Sequence, residues 1–136
     1  MRICAACGNR EKYLIRISLW GVPHGHSGHQ INYRWTDLYA CPGCDAGRLV
    51  VFDHDCFAPP FEEPWDMSWE WQVAADGVRC LQTTLARCPD PMEPSCSCAV
   101  HLSLRASSES SKPHDATATV EMKDDGSPQF RFSGTP

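Results

Sequence analysis

Two pairs of cysteines at the spacing Cys-x-x-Cys carry the most specific chemistry in the sequence: Cys4-Ala5-Ala6-Cys7, followed by Gly8, and Cys41-Pro42-Gly43-Cys44. A pair at this spacing closes a tight knuckle in which both thiolates converge on one ion while backbone N–H groups turn back toward sulfur. Gly8 and Gly43 are expected to supply the unusual backbone angles of the two turns. Four thiolates complete a tetrahedral shell and leave no position for a substrate, so the expected site is structural and the expected metal is zinc. Iron suits the same donors, as a single ion or an iron–sulfur cluster, and is the alternative.

A second set is denser and less regular. Cys88, Cys96, Cys98 and His101 fall in a segment punctuated by Pro89, Pro91 and Pro94, which pre-bend the loop and suit ligand convergence. Cys56 competes for a place in it, as do His54 and Cys80, so the ligands of a second metal stay open among Cys56, Cys88, Cys96, Cys98 and His101. An all-thiolate choice of Cys56, Cys88, Cys96 and Cys98 would suit an iron–sulfur cluster, although the spacing matches neither common ferredoxin pattern. Without a metal, these cysteines would behave as small buried hydrophobes. His24, His26 and His29 sit among glycines and read as solvated loop residues rather than a preorganised site.

No catalytic residue is assigned. The run Asp53-His54-Asp55-Cys56 suggests a base beside a nucleophile, but neighbours on a strand point to opposite faces. A phosphate-cradling glycine loop, a Gly-x-Ser-x-Gly elbow and a His-Glu-x-x-His helix are all missing from the sequence. The chain is therefore expected not to be an enzyme; a small enzyme with an open metal position at His54, the late cysteines and His101 is a lesser alternative.

On Cys4, Cys7, Gly8, Cys41, Pro42, Gly43 and Cys44 the N-terminal part resembles the zinc-ribbon superfamily with rubredoxin-type knuckles. The resemblance covers about the first 55 residues and implies a metal-pinned β-hairpin. It departs from the common pattern because 33 residues separate the two pairs, against about 15–20 in a compact ribbon. An extended hairpin or an inserted loop has to fill that gap. Zinc ribbons serve many unrelated proteins, so the resemblance implies no particular activity.

The elements that position these ligands are mostly strands. Lys12 to Trp20 alternates, with Tyr13, Ile15, Ile17 and Leu19 on one face, and a glycine-rich loop over 21–29 leads to a second extended segment from Gln30 to Tyr39. Leu49 to Phe52 reads as a third strand, and Trp69, Trp71 and Val73 mark another. Gly77 to Arg87 is ambiguous: Leu81 and Leu85 fit a helical face, the threonine pair and Val78 favour a strand, and strand is the reading adopted. Cys98 to Ser108 reads as a short helix after Pro94-Ser95. Thr119 to Met122 and Gln129 to Phe132 form a hairpin across Asp124-Asp125-Gly126, with Val120, Met122, Phe130 and Phe132 facing the core. The expected fold is α+β: small and mainly antiparallel β, with an N-terminal zinc-ribbon-like hairpin, one short helix and a C-terminal β-hairpin. A single domain over 1–136 divides into a zinc-ribbon-like part (1–57), a Pro/Glu-rich connection (58–67) and a β-rich part with the second cluster (68–136).

Leu, Ile, Val and Phe make up under a fifth of the chain, so the nine cysteines and five tryptophans have to help hold it together. The net charge of −5 opposes binding to nucleic acid, and no stretch is apolar enough to span a membrane. A first cysteine at position 4 leaves no room for a removable signal, so a cytoplasmic protein is expected. Glu62, Glu63, Trp65 and Asp66 combine acids with an aromatic ring, the composition of a surface that steers a basic partner. The functional expectation is a non-enzymatic, zinc-bound module that occludes a protein partner, such as a bacterial immunity protein acting on a basic toxin domain. A metal or redox sensor is the alternative.

Overall fold

The computed structural model describes residues 3–21, 31–56, 65–109 and 117–133 of the chain. Its elements are β1 (Lys12–Gly21), β2 (Ile31–Ala40), β3 (Gly47–Cys56), β4 (Trp65–Val73), α1 (Ala75–Leu85), α2 (Ala99–Ser108), β5 (Thr117–Met122) and β6 (Pro128–Ser133). All six strands join one curled sheet in chain order. Every neighbouring pair is antiparallel except β4 and β5, which run parallel. A parallel step needs a crossover, and α1 and α2 supply it. Because the sheet curls, α2 contacts both its first strand and its last. The architecture is mainly β with some helix, compatible with the expected α+β class, but it has two helices where one was expected.

Alternation explains which face closes over the helices. Ile15 and Ile17 of β1, Leu38 and Ala40 of β2, Leu49 and Val51 of β3, and Trp71 and Val73 of β4 meet Val78, Leu81 and Leu85 of α1 and Val100 and Leu104 of α2. Trp71 is 1% exposed and packs edge-on to Phe132 at 5.4 Å. Its indole N–H has no hydrogen-bond partner among the described residues. Trp71→Ala is therefore expected to destabilise the fold by about 3–5 kcal/mol in chemical denaturation. Trp71→Phe, which also removes the unpaired N–H, is expected to cost well under half of that.

Three expectations need correction. Residues 75–85 form a helix, because Val78, Leu81 and Leu85 recur at helical spacing on the buried side. The threonines that favoured a strand are accommodated by back-bonding: Thr84 Oγ1 donates to the Cys80 carbonyl at 2.9 Å and Thr83 Oγ1 to the Arg79 carbonyl at 3.3 Å. Strand β4 begins at Trp65, paired with Asp55, so regular structure starts inside the segment read as a connection; cross-strand pairing there outweighs the nearby prolines. Met122 is 44% exposed at the strand end, whereas Ala118 and Phe130 take the buried positions of the hairpin. The Asp124-Asp125-Gly126 turn does form, with Gly126 at φ 83° and Asp125 Oδ1 accepting from the Ser127 amide at 2.9 Å.

The outer face of the sheet, away from this core, carries a row of rings across β2 and β3. Trp35 stacks on Phe52 at 4.3 Å, Tyr33 on Trp35 at 5.3 Å and Tyr33 on His54 at 4.7 Å. Beside the row, Arg16 donates to both oxygens of the fully buried Asp37 carboxylate, at 2.8 and 3.0 Å. The Arg16 guanidinium also lies 5.8 Å from the ring centres of Tyr13 and Trp35. Burial holds the Asp37 carboxyl above its ordinary range despite the guanidinium that pulls it down. Among the described residues, no helix is long and apolar enough to cross a membrane.

Candidate metal centres

The first centre is built from two knuckles with the same wiring. Gly8 N–H donates to the Cys4 carbonyl and Asp45 N–H to the Cys41 carbonyl, each at 2.9 Å. Cys4 N–H donates to Asn9 O at 2.7 Å, matched by Cys41 N–H to Ala46 O at 2.9 Å. The residue after the second cysteine of each pair closes the turn with a left-handed backbone, Gly8 at φ 80° and Asp45 at φ 61°. This corrects the expectation for Gly43, which is not left-handed; its amide instead lies 3.4 Å from Cys41 Sγ, the N–H-to-sulfur bond a knuckle provides. A left-handed conformation is unfavourable for a residue with a Cβ, so Asp45→Gly is expected to raise unfolding free energy by roughly 1 kcal/mol at unchanged metal content.

The knuckles face each other because Cys4 and Cys7 precede β1 while Cys41 and Cys44 form the turn between β2 and β3. All four sulfurs lie within 4.8 Å of one another, with Cys4 to Cys44 at 3.7 Å and Cys7 to Cys41 at 3.2 Å. A tetrahedral zinc with Zn–S bonds of about 2.3 Å has S–S edges of about 3.8 Å, so the donor set fits such an ion. The 33-residue gap is spanned in part by the long β1 and β2 strands, which bring the second knuckle back beside the first. Asn9 Nδ2 donates to Cys7 Sγ at 3.4 Å, a contact that sequence spacing did not suggest. Although the Ala46 amide favours the Cys44 thiolate, burial and the neighbouring thiols push Cys44 up to about 12. Thiols this crowded do not ionise together unless a cation sits among them.

The second centre gathers Cys88, Cys96, Cys98 and His101, whose donor atoms also lie within 4.8 Å of one another. Cys88 follows α1 after a short turn, Cys96 ends the proline-bent loop, and Cys98 caps α2, its sulfur accepting from the His101 amide at 3.4 Å. The i, i+3 step along the first helical turn then carries His101 onto the same side. Its Nδ1 lies 3.2 Å from Cys88 Sγ and 3.5 Å from Cys98 Sγ, and Cys88 and Cys96 sulfurs are 3.9 Å apart. The Nε2 atom of this fully buried ring lies 3.1 Å from the Arg16 carbonyl oxygen. A carbonyl can only accept, so Nε2 carries the proton and Nδ1 turns its lone pair toward the cysteines, the arrangement of a metal-ligating histidine.

Charge is unevenly distributed in this set. Burial pushes Cys88 up to about 12, while the His101 amide and ring, with the Cys88 and Cys96 thiols, outweigh burial and bring Cys98 down to about 6. The loop is also fastened to its surroundings. Arg16 N–H donates to Pro91 O at 2.9 Å, and Arg105 Nη2 donates to the carbonyls of Pro94 at 2.7 Å and Cys96 at 3.0 Å.

Other sequence candidates stand apart from both centres. His54 lies on β3 in the outer aromatic row, and Cys80 is half-buried on α1 outside either ligand set. Cys56 ends β3 opposite Ile31, and its side chain lies outside the described residues. The second centre reaches four donors without it. His24, His26, His29, Glu62 and Glu63 also lie outside the described residues, as do the side chains of Trp65 and Asp66, although Asp66 takes a register position opposite His54. Fold and sites together define a mainly-β chain with two side-chain groups that could each hold a metal ion, the first compatible with a zinc-ribbon-like knuckle. Comparison with protein-family models, with curated proteins and with solved structures gives no match.

Proposed function

We propose that the chain is a non-enzymatic protein-binding module whose fold is held by two structural zinc ions. The observation that carries this reading is the completeness of both ligand sets: each supplies four protein donors, and a four-donor shell leaves zinc no open position for a substrate. The first set ties together segments distant in sequence and the second closes the loop between α1 and α2, so the energy of metal binding is spent on folding.

The binding surface in this proposal is the outer face of β2 and β3, with Glu62, Glu63, Trp65 and Asp66 retained from the sequence as candidate partner contacts. Tyr33, Trp35, Phe52 and His54 already stack ring faces on one another. That suits a protein surface better than nucleobases, which need free ring faces to stack on. The net charge of −5 favours a basic partner. The specific form of the proposal is a cytoplasmic inhibitor of the immunity-protein kind, which neutralises a basic toxin domain by covering it.

The experiment is bacterial co-expression with the products of whichever genes neighbour this one, beginning with any that is basic and toxic. Neutralisation of its toxicity, with a stoichiometric complex that Trp35→Asp disrupts while zinc content stays at two per chain, is the expected result. Failure to form a complex, or a complex indifferent to both Trp35→Asp and the paired Glu62→Gln and Glu63→Gln changes, overturns it. A second reading, a metal or redox sensor, draws on the half-exposed Cys96 and Cys98 at the second centre. Iron with visible sulfur-to-iron absorption in anaerobically purified protein would move that reading ahead.

A further inference from the structure

A cavity of about 400 Å³ opens between the inner ends of β1 to β3, the last turn of α2 and the loop of the second metal centre. Its lining includes Arg34 and Arg105, the hydroxyl residues Ser18, Thr36 and Ser108, and Pro94 of the metal-bearing loop. We infer that this cavity is a binding site for a small hydroxylated oxyanion, a ligand that joins one phosphate or carboxylate group to a few hydroxyls.

The charge of Arg105 carries the inference. Its guanidinium is held by three backbone carbonyls, those of Pro94 at 2.7 Å, Cys96 at 3.0 Å and Ile17 at 3.4 Å. All three are neutral, and among the described residues no carboxylate pairs with it. A half-buried cation compensated by dipoles alone gains from an anion brought to its free side, and the three carbonyls fix its direction beforehand. Arg34, contributed by β2, is neutralised by Asp53 at 2.8 Å and so orients a ligand more than it attracts one. Glu109 lies at the cavity rim at the end of α2 and limits the ligand to a single oxyanion group at the Arg105 end. The remaining lining supplies hydroxyls: among the described residues, no side-chain hydrogen bond engages the hydroxyl of Ser18 or Thr36, and Thr36 is only 4% exposed. A cavity of this volume is within the range of small-molecule sites.

Because Pro94 lines the cavity and Arg105 is clamped to the metal-bearing loop, the site forms only while the second centre is intact. It does not depend on the protein-binding proposal, since it uses the inner face of the sheet rather than the outer one.

The test is calorimetric titration of the metal-loaded full chain at 150 mM sodium chloride with glycerol 3-phosphate and, separately, glycerate, with glycerol as the control. Saturable one-to-one binding of either anion but not of glycerol is expected. Whichever anion binds more tightly identifies phosphate or carboxylate as the natural group. Arg105→Lys is expected to weaken binding about tenfold or more, because the fork of donors is lost. Thr36→Val, which replaces a hydroxyl the fold does not use with a methyl of the same size, is expected to weaken it several-fold at unchanged metal content and melting temperature. Absence of saturable binding by both anions overturns the proposal, as does binding that neither substitution changes. If Arg105→Lys fails to fold, Thr36→Val alone decides in the same two directions. A chain that binds neither anion but still neutralises its protein partner would refute this site and leave the proposed function standing.

Discussion

Cys41→Ser is expected to abolish cooperative folding. Cys41 is fully buried and supplies one of the four sulfurs through which the segment before β1 and the β2–β3 turn meet side chain to side chain. Structural zinc in small domains contributes about 10–16 kcal/mol of binding free energy at neutral pH, whereas a domain of this size has a net stability of about 5–15 kcal/mol. Losing one ion therefore removes as much as the whole margin. Bound metal should fall below two ions per chain, the thermal transition should broaden or vanish, and a strong chelator should produce the same state in the unaltered protein. A Cys41→Ser variant that melts cooperatively at the original temperature would show that the first centre contributes no stability.

The second large effect is expected at His101, where two substitutions separate its two roles. His101→Ala removes a candidate metal donor and also leaves the Arg16 carbonyl without the bond to Nε2, so the second centre should lose its ion and the attachment of α2 to β1 should weaken. His101→Cys supplies a thiolate in place of the imidazole but has no second ring nitrogen. Metal content should return to two per chain, while stability stays below that of the unaltered protein by about 1–3 kcal/mol, the cost of an unpaired buried acceptor. Zinc analysis and denaturant titration of the two variants side by side distinguish these outcomes. If His101→Ala keeps two metals, the ring is structural packing and not a ligand.

Both variants bear on the link between the second centre and the outer face. The backbone of Arg16 is held at both ends by that centre, through Pro91 and His101, while its side chain sits among Asp37, Tyr13 and Trp35. Residue 16 also stands at an irregularity in the pairing of β1 with β2, where the register shifts between Arg16 and Ser18. A bulge re-aims the side chains around it. The metal-bearing loop thus borders β1, the strand next to the β2–β3 face proposed for partner binding.

Much of the scaffold was legible from local pattern. The alternation in β1 and β4, the Asp-Gly turn of the last hairpin and the start of α2 near Cys98 are all short-range signals, and each corresponds to an element of the structure. Residues 75–85 were misread because β-branched side chains weigh against a helix locally, while the burial of Val78, Leu81 and Leu85 against the sheet outweighs that preference. The start of β4 at Trp65 was missed for a related reason: its pairing with β3 is a long-range interaction that local composition does not register.

The sequence by itself determined the donor types and the first ligand set, because two Cys-x-x-Cys pairs encode both the chemistry and the turn that aims it. It left the second set open, since convergence across an irregular loop depends on where α1 ends and α2 begins. Tertiary structure brought Cys88, Cys96, Cys98 and His101 together without the competitors the sequence had left open, and alone brought the Arg16 carbonyl to the far nitrogen of His101. That carbonyl lies 85 residues away in sequence, and only the curl of the sheet, which lets one helix touch its first and last strands, brings the two together.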